Sequence, residues 1–345
     1  MSKGIYTKAQ EHLKEYSPRC CAIKDKSSIF IGMEYTGDAL GVCINYYFPN
    51  LKNIWGVECK GGFYRSNCSI VNNEKEKNSF LLVGWKGDVF AQHGLLKSGK
   101  PNLVKEKNIP IEHNCTIKSI RTIAGKAYIV GAWHTVFRRD GVDNWKCILG
   151  NNPKEIELWQ EQNLNLGFND IGGFSENDIY ACGGRGDLWH FNGKKWKELD
   201  IPTNLKLISL CCANDGKVYI GCKNGVLIQG RDDSWEVVKS QADKDILDMV
   251  WYKGKLYLAC GMYGLYIYEN ETIKSASGVS TLHEMLEYEE GVLDKDVMTP
   301  ASLHSLSTDG EILLLAGTDK VIAYNGKSWK VLYAPYPLDI GGELW

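Results

Sequence analysis

Residues 170–199 read DIGGFSENDIYACGGRGDLWHFNGKKWKEL, and the order of apolar runs and turn residues in this stretch decides the fold. A short apolar strand is followed by a turn, then by the strand DIYACG, a glycine turn and the strand DLWHF. Asn192-Gly193 comes next, a dipeptide suited to a type I′ hairpin because both central residues need positive φ. WKEL completes a set of four short strands within this one stretch. The same order returns at 208–238, 246–273 and 303–332, and in weaker copies at 19–42, 68–92 and 117–148. A repeat of this size is the mark of a propeller or solenoid.

The glycine that closes the second strand recurs as Gly32, Gly84, Gly131, Gly183, Gly221, Gly261 and Gly317. Their spacings bracket the period of known propeller repeats, with the longer intervals holding loop insertions. A four-stranded antiparallel blade cannot bury both faces by itself and leaves two edges open; radial stacking covers the faces and protects the edges. The sequence therefore predicts an all-β chain, a single seven-bladed β-propeller of four-stranded antiparallel blades over residues 1–345. Residues 1–18 read as an N-terminal extension. Leu338-Asp339-Ile340-Gly341-Gly342 echoes Asn169-Asp170-Ile171-Gly172-Gly173, which makes 338–345 the candidate ring-closing strand or the start of an eighth, incomplete blade. Trp145, Trp196, Trp235 and Trp329 recur at a near-constant distance after their glycines, at the start of the outermost strand, and read as interblade core.

The string ACGGRGDLWHFNGKKWKEL resembles the repeat of bacterial WD-like, YVTN-like and BNR-like propellers, including photosystem II assembly factor-like proteins, and the resemblance extends over residues 19–333. The Trp-Asp dipeptide of true WD repeats is missing, as is the S-x-D-x-G-x-x-W Asp box of sialidase-type repeats. The resemblance implies scaffolds, assembly factors and cytosolic immunity proteins that cap a toxin, hence binding without a stated partner.

With 44% hydrophobic and 24% charged residues and a net charge of -2, the chain has the composition of an ordinary core and does not favour nucleic acid as partner. The N-terminus offers no apolar run for a signal peptide and no segment is long enough for a membrane helix, so a cytoplasmic protein is expected, without a membrane partner. Twelve cysteines in so long a chain read as reduced, buried thiols. Their spacing offers no metal site, and no cofactor is implied.

Motifs for catalysis are absent. Gly94 to Lys100 starts like a phosphate-binding loop, but Pro101 stands where Ser or Thr is needed, and the segment reads as a polar loop between blades. Arg185-Gly186-Asp187 spells an adhesion tripeptide that a cytosolic turn cannot use. No serine elbow and no histidine pair at ligand spacing occurs, which predicts a non-enzyme. A propeller can still assemble a site from distant residues, so a hydrolase or lyase stays as the last alternative.

Turns between second and third strands emerge on one face of a propeller. They place Tyr35, Trp85, Lys86, Trp133, His134, Arg185, Lys223 and Tyr263 on a common rim. Tight turns favour Gly, Asn, Asp and Ser, which makes Trp85 and Trp133 unexpected there. Two readings stand side by side: a partner-binding rim, since interfaces concentrate energy in Trp, Tyr and Arg, or rings lying flat on the next blade.

Three blade-linking insertions, 44–66, 150–169 and 275–302, offer a second surface. The last gathers Glu284, Glu287, Glu289, Glu290, Asp294 and Asp296 beside Leu282, Met285 and Leu286, the pattern of a short acidic amphipathic helix or of a solvated face. The functional expectation is a monomeric, protein-binding propeller, most specifically an immunity protein against a toxin domain, or an assembly scaffold. The alternative is a carbohydrate or small-molecule binder that stacks its ligand on Trp85, Trp133 and Tyr263.

Overall fold

In the computed structural model the described residues are 15–25, 28–36, 41–47, 55–61, 67–98, 101–112, 115–150, 157, 167–238, 244–276, 279–280 and 297–333, with 41–47, 55–61, 279–280 and 297–298 described by backbone alone. The chain divides into two compact units, one of Asn67–Gly94 and Pro101–Trp251, the other of Met1–Ser66, Leu95–Lys100 and Tyr252–Trp345.

Antiparallel sheets of four strands, each in simple up-and-down order, build the first of these units. One comprises Asn67–Val71, Ser79–Val83, Val89–Leu95 and Pro101–Lys105; the next Ile117–Ile123, Lys126–Gly131, Thr135–Gly141 and Asn144–Leu149. Then come Phe168–Ser175, Asp178–Gly183, Asp187–Phe191 and Trp196–Leu199, followed by Leu207–Cys212, Val218–Cys222, Leu227–Arg231 and Ser234–Val238. The second unit repeats the pattern in Tyr16–Asp25, Ser28–Tyr35, Gly41–Tyr47 and Trp55–Gly61, and in Ser305–Thr308, Leu313–Ala316, Val321–Tyr324 and Trp329–Tyr333. A further sheet of Asp248–Tyr252, Lys255–Ala259, Leu265–Glu269 and Thr272–Ser275 has the division between units running through its first strand. The glycine count predicts seven blades; six four-stranded sheets are described with side chains on every strand, and the N-terminal repeat, 16–61, is described by backbone alone in its outer half.

Three local expectations need correction. Residues 44–66 are not a blade-linking insertion: they hold the outer strands of the N-terminal sheet, in register Tyr46↔Gly56. The longer connection between those strands hid the fourth strand from the repeat pattern. Gly94 to Lys100 does not link blades either, because Val89–Leu95 and Pro101–Lys105 are third and fourth strands of one sheet. The N-terminal strand begins at Tyr16, inside the expected extension. The proposed ring-closing strand 338–345 lies outside the described residues.

The periodicity of DIYACG explains why sheets stack. Successive side chains of a strand point to opposite faces. Ile179 and Ala181 join a core with Tyr128, Val130 and Val136 of the preceding sheet. Tyr180 and Cys182 face the other way, into a core with Leu210, Val218 and Ile220 of the following sheet. A strand covered on both sides reads as a continuous apolar run, as this one does. In the second unit Cys21, Ile23, Ile29 and Ile31 share a core with Leu314, Ala316 and Val321, so the N-terminal sheet packs on the C-terminal one. Backbone N–H groups of Cys21 and Ile23 donate to the hydroxyls of Ser305 and Ser307 across that contact.

The recurring glycine has a steric cause. A Cβ on Gly183 would lie 2.0 Å from the carbonyl oxygen of Gly167, and one on Gly131 would lie 2.2 Å from that of Thr116. In each case the chain entering the innermost strand crosses directly over the glycine. The same strands carry a bulge opposite it, between Ile117 and Ser119, between Phe168 and Asp170, and between Leu207 and Ser209. Lys118 and Asn169 are the residues that the ladder skips at the first two bulges, and a bulge re-aims the side chain at the skipped position.

Charges are buried where strands meet. Arg121 donates from Nε and Nη2 to the carboxylate of Asp170, and from Nη2 to that of Asp248. Ser119 Oγ and the N–H groups of Ile171 and Leu210 also donate to Asp170. Burial would lower the Arg121 pKa, but the neighbouring carboxylates outweigh it, and the guanidinium stays protonated. Arg139, wholly buried, is gripped by Glu76 and Glu106 through bonds of 2.6 to 3.1 Å. Burial alone would raise the Glu106 carboxyl, but hydrogen bonds from Arg139 and His93 hold it below the ordinary range.

The tryptophan ladder packs in two ways. Trp145 lies under Arg139 in the core between its own and the preceding sheet, and Trp235 meets Tyr180 of the preceding sheet edge-on. Trp329 stacks on Tyr324, and Trp196 on Phe168 and Phe191, all within their own sheets. Ten cysteines among the described residues are free thiols.

Candidate functional site

The turn between second and third strands bridges to the chain that leads into the next sheet. Ala132 pairs with Gly167 and Arg185 with Lys206 as isolated bridges, and the Trp85 carbonyl accepts from the Ile117 N–H. Because the same glycines and bulges recur below each turn, this face of the unit is regular in backbone and variable in side chain.

The turn Ala132–Thr135 departs from its neighbours. Its two central residues, Trp133 and His134, both lie in the left-handed region, at φ 61° and 50°. In the corresponding turns those conformations fall to Gly184 and Gly186, to Asn224 and Gly225, and to Gly261 and Gly264. Bulky residues at positive φ are uncommon, and a backbone held there costs about 1–3 kcal/mol. Gly150 and Gly167 pass so close that a Cβ on either would meet the turn's backbone at 2.6 to 2.7 Å. The fold thus locks the turn from behind while leaving both side chains half-buried.

His134 is oriented by three contacts. Its Nε2 lies 2.7 Å from Asp187 Oδ2, and its ring meets Phe168 at 4.9 Å and Trp189 at 5.3 Å. Trp189 Nε1 donates to the other oxygen of the same carboxylate at 2.8 Å. One aspartate therefore fixes two rings, and Phe168 closes the cluster edge-on to Trp189 at 6.3 Å.

His134 and Trp189, backed by the buried Phe168, form one wall of a cavity of about 850 Å³, built wholly within this unit. Lys118, on its bulge, and Arg185 and Lys206, paired across their bridge, stand around it, with Glu198 as the exposed carboxylate. Such a cavity can take a bulky side chain or a short peptide segment against its aromatic wall and an anion near its cations.

Of the residues expected on the rim, His134 and Arg185 line this cavity, and Trp133 lies in its wall-forming turn. Trp85 and Lys86 sit on the preceding turn, where the Lys86 ammonium lies 5.2 Å from the Trp85 ring centre. Lys223 opens a single 3-10 turn and is exposed. In the other unit, Tyr35 ends its strand edge-on to Tyr16 at 5.4 Å, and a hydrogen bond with the Glu15 carboxylate raises its pKa. Tyr263 is half-buried in the turn after Lys255–Ala259. The six acidic residues of the insertion at 275–302 lie outside the described residues, as does most of 150–169; only the short parallel pair of Val279–Ser280 and Val297–Met298 is described between Ala276 and Thr299.

Reading turns alone missed Phe168, Trp189, Lys118 and Lys206. Phe168 and Lys118 precede the innermost strand's apolar run, just before or at each bulge, and the glycine spacing could have located that position. Among the described residues no group of three or more His, Cys, Asp or Glu could hold a metal ion, and no helix is long and apolar enough to cross a membrane.

No family model matches the chain. It is 29% identical over 272 residues to the immune protein Tsi7 of Pseudomonas aeruginosa, covering 76% of this chain and 78% of the relative. Among solved structures it resembles YCF48 bound to D1 peptide, at a TM-score of 0.60 and 12% identity over 90% of this chain and 91% of that one. The WD40 β-propeller domain of Doa1 is similar at a TM-score of 0.61 and 13% identity, over 91% and 94% of the two chains. The chain is accordingly an all-β propeller of four-stranded antiparallel blades.

Proposed function

We propose that this protein is a cytosolic, non-enzymatic binding propeller of seven blades that neutralises a partner protein in the manner of an immunity protein, with its inter-strand turn face as the docking surface. One observation carries the reading: the Trp133–His134 turn is held in a strained conformation, beside an aromatic and cationic cavity, by packing from behind. A turn with only a packing task has no use for two bulky residues where glycine fits. Strain maintained at a surface turn is the pattern of a presented binding element.

The distant relative named as an immune protein and the peptide-bound propeller neighbour support a protein partner over a glycan. The rim residues Trp85, Lys86, Trp133, His134, Arg185 and Lys223 belong to this surface; Tyr35 and Tyr263 are turn-face candidates within the other unit. Tagged protein purified from its native host at low salt should bring down one stoichiometric partner. Trp133→Ala with Arg185→Glu should release that partner while the melting temperature stays within a few degrees. A partner retained in full by the double variant refutes this surface; a protein that copurifies with nothing while turning over a substrate refutes the reading.

A further inference from the structure

We infer that the cavity beside Arg185 receives an acidic side chain of the partner, with the carboxylate between Arg185 and Lys206 and the adjoining apolar residue against Trp189, whose ring rests on the buried Phe168. The inference rests on the protein-binding reading above and names the chemistry of what is bound.

Arginines among the described residues are paired with carboxylates in all but one case. Arg19 pairs with Glu34, Arg121 with Asp170 and Asp248, Arg138 with Asp140, Arg139 with Glu76 and Glu106, and Arg231 with Asp178. Arg185 is the one arginine among the described residues that lacks a carboxylate, and it is exposed. It also stands directly opposite Lys206, which has no ion pair among the described residues either. Like charges facing each other across a bridge destabilise a sheet. An anion placed between them converts that repulsion into two charge-assisted contacts, and a planar guanidinium suits a carboxylate best.

The cavity's own acids do not fill this role. Asp187 is committed to His134 and Trp189 and is nearly buried, so its charge is turned to the wall. Glu198 remains, exposed on the outer strand opposite Trp189, against Lys118, Arg185 and Lys206 in the lining of the cavity. The residual charge of the lining is positive in a chain whose net charge is -2. The aromatic wall selects among anions. Trp189 is fixed by Asp187 and, edge-on, by the buried Phe168 before anything binds, which suits a peptide bearing an apolar residue next to its acid.

The test titrates the full-length protein with two blocked tetrapeptides, acetyl-Phe-Glu-Glu-Phe-amide and its Gln-Gln counterpart, by isothermal calorimetry at low and physiological salt. The acidic peptide should bind at least about tenfold more tightly, the difference expected of a charge-assisted contact. Arg185→Glu should abolish that preference. Lys194→Glu makes the same charge change at the opposite hairpin end of the sheet and should keep it. Equal binding of the two peptides, binding of neither at millimolar concentration, or a preference that survives Arg185→Glu overturns the inference. A thymidine oligonucleotide that binds more tightly than the acidic peptide overturns it in favour of a phosphate backbone. If the native partner copurifies yet the acidic preference is missing, the binding reading stands and this inference falls; if the preference is present while the protein copurifies with nothing and turns over a substrate, the cavity's preference for acidic peptides stands but the partner reading, and with it the assignment to a partner's side chain, falls.

Discussion

Replacing Arg139 by alanine removes five hydrogen bonds from a site with no exposure. It leaves Glu76 and Glu106, side chains 7% and 1% exposed, without their guanidinium, while His93 Nε2 and the Asp143 N–H still reach Glu106. Breaking a buried pair from one side costs about 3–5 kcal/mol because the surviving charge cannot be rehydrated. Two carboxylates deprived of their guanidinium and lost contact with Trp145 place Arg139→Ala at the upper end of that range. Urea titration followed by tryptophan fluorescence is a direct assay, since Trp145 lies 5.6 Å from the guanidinium carbon.

The pH dependence adds a second check. Against the effect of burial, Arg139 and His93 depress the Glu106 pKa in the folded protein, so the stability this supplies is fully present above the unfolded value of about 4.3 and is lost as pH falls through the folded value. In Arg139→Ala burial acts on the Glu106 carboxyl without the opposing guanidinium, and protonation relieves it. The gap between wild type and variant should therefore narrow as pH drops below about 5. Adding Glu76→Gln and Glu106→Gln to Arg139→Met should restore at least half of the loss, because a neutral core of similar volume has no charge left to desolvate. A single-variant cost below about 1 kcal/mol, or a triple variant weaker than Arg139→Met alone, would refute the reasoning.

Further predictions concern the turn face and the core. Gly183→Ala places a Cβ 2.0 Å from a backbone oxygen and should destabilise by more than about 2 kcal/mol in urea unfolding; a smaller change means that the crossing chain is not fixed. Trp133→Gly relieves a left-handed backbone and should keep stability within about 1 kcal/mol of wild type while weakening partner capture at least tenfold. A loss of both together would make the turn a packing element. Burial pushes the thiols of Cys211 and Cys222 up to about 12 and that of Cys182 well above its ordinary value. Iodoacetamide at pH 8 should therefore leave these three unlabelled in the native protein and label them in urea, as read by mass spectrometry; rapid native labelling of Cys182 contradicts the described core.

Much of the fold was legible because its signals are local. Asn192-Gly193 and the run DIYACG each follow from turn chemistry or alternation within a few positions. The seven glycines had a further meaning that no local rule supplies: at Gly131 and Gly183 a neighbouring chain passes where a side chain would stand. The fourth strand of the N-terminal sheet, 55–61, escaped notice because a longer connection after the third broke the spacing on which the repeat was recognised. The site was half legible. Trp133, His134 and Arg185 were conspicuous as unsuitable turn residues, whereas Phe168 and Lys118 reach the same cavity from a bulge whose position depends on pairing with a glycine of the following strand. The Arg185–Lys206 confrontation is invisible in sequence, since it arises from a bridge between two otherwise separate connections.

The packing of the N-terminal sheet on the C-terminal one has a consequence for biosynthesis. Cys21 and Ser305 are 284 residues apart, so the contact forms only after nearly the whole chain has left the ribosome. At translation rates of about 5–20 residues per second, the apolar face of the first sheet waits roughly 15 to 60 s for its cover. Every other sheet interface described in the molecule can form as soon as the next repeat emerges. The first-made sheet is therefore the last to be protected, and it is the segment on which a chaperone would act.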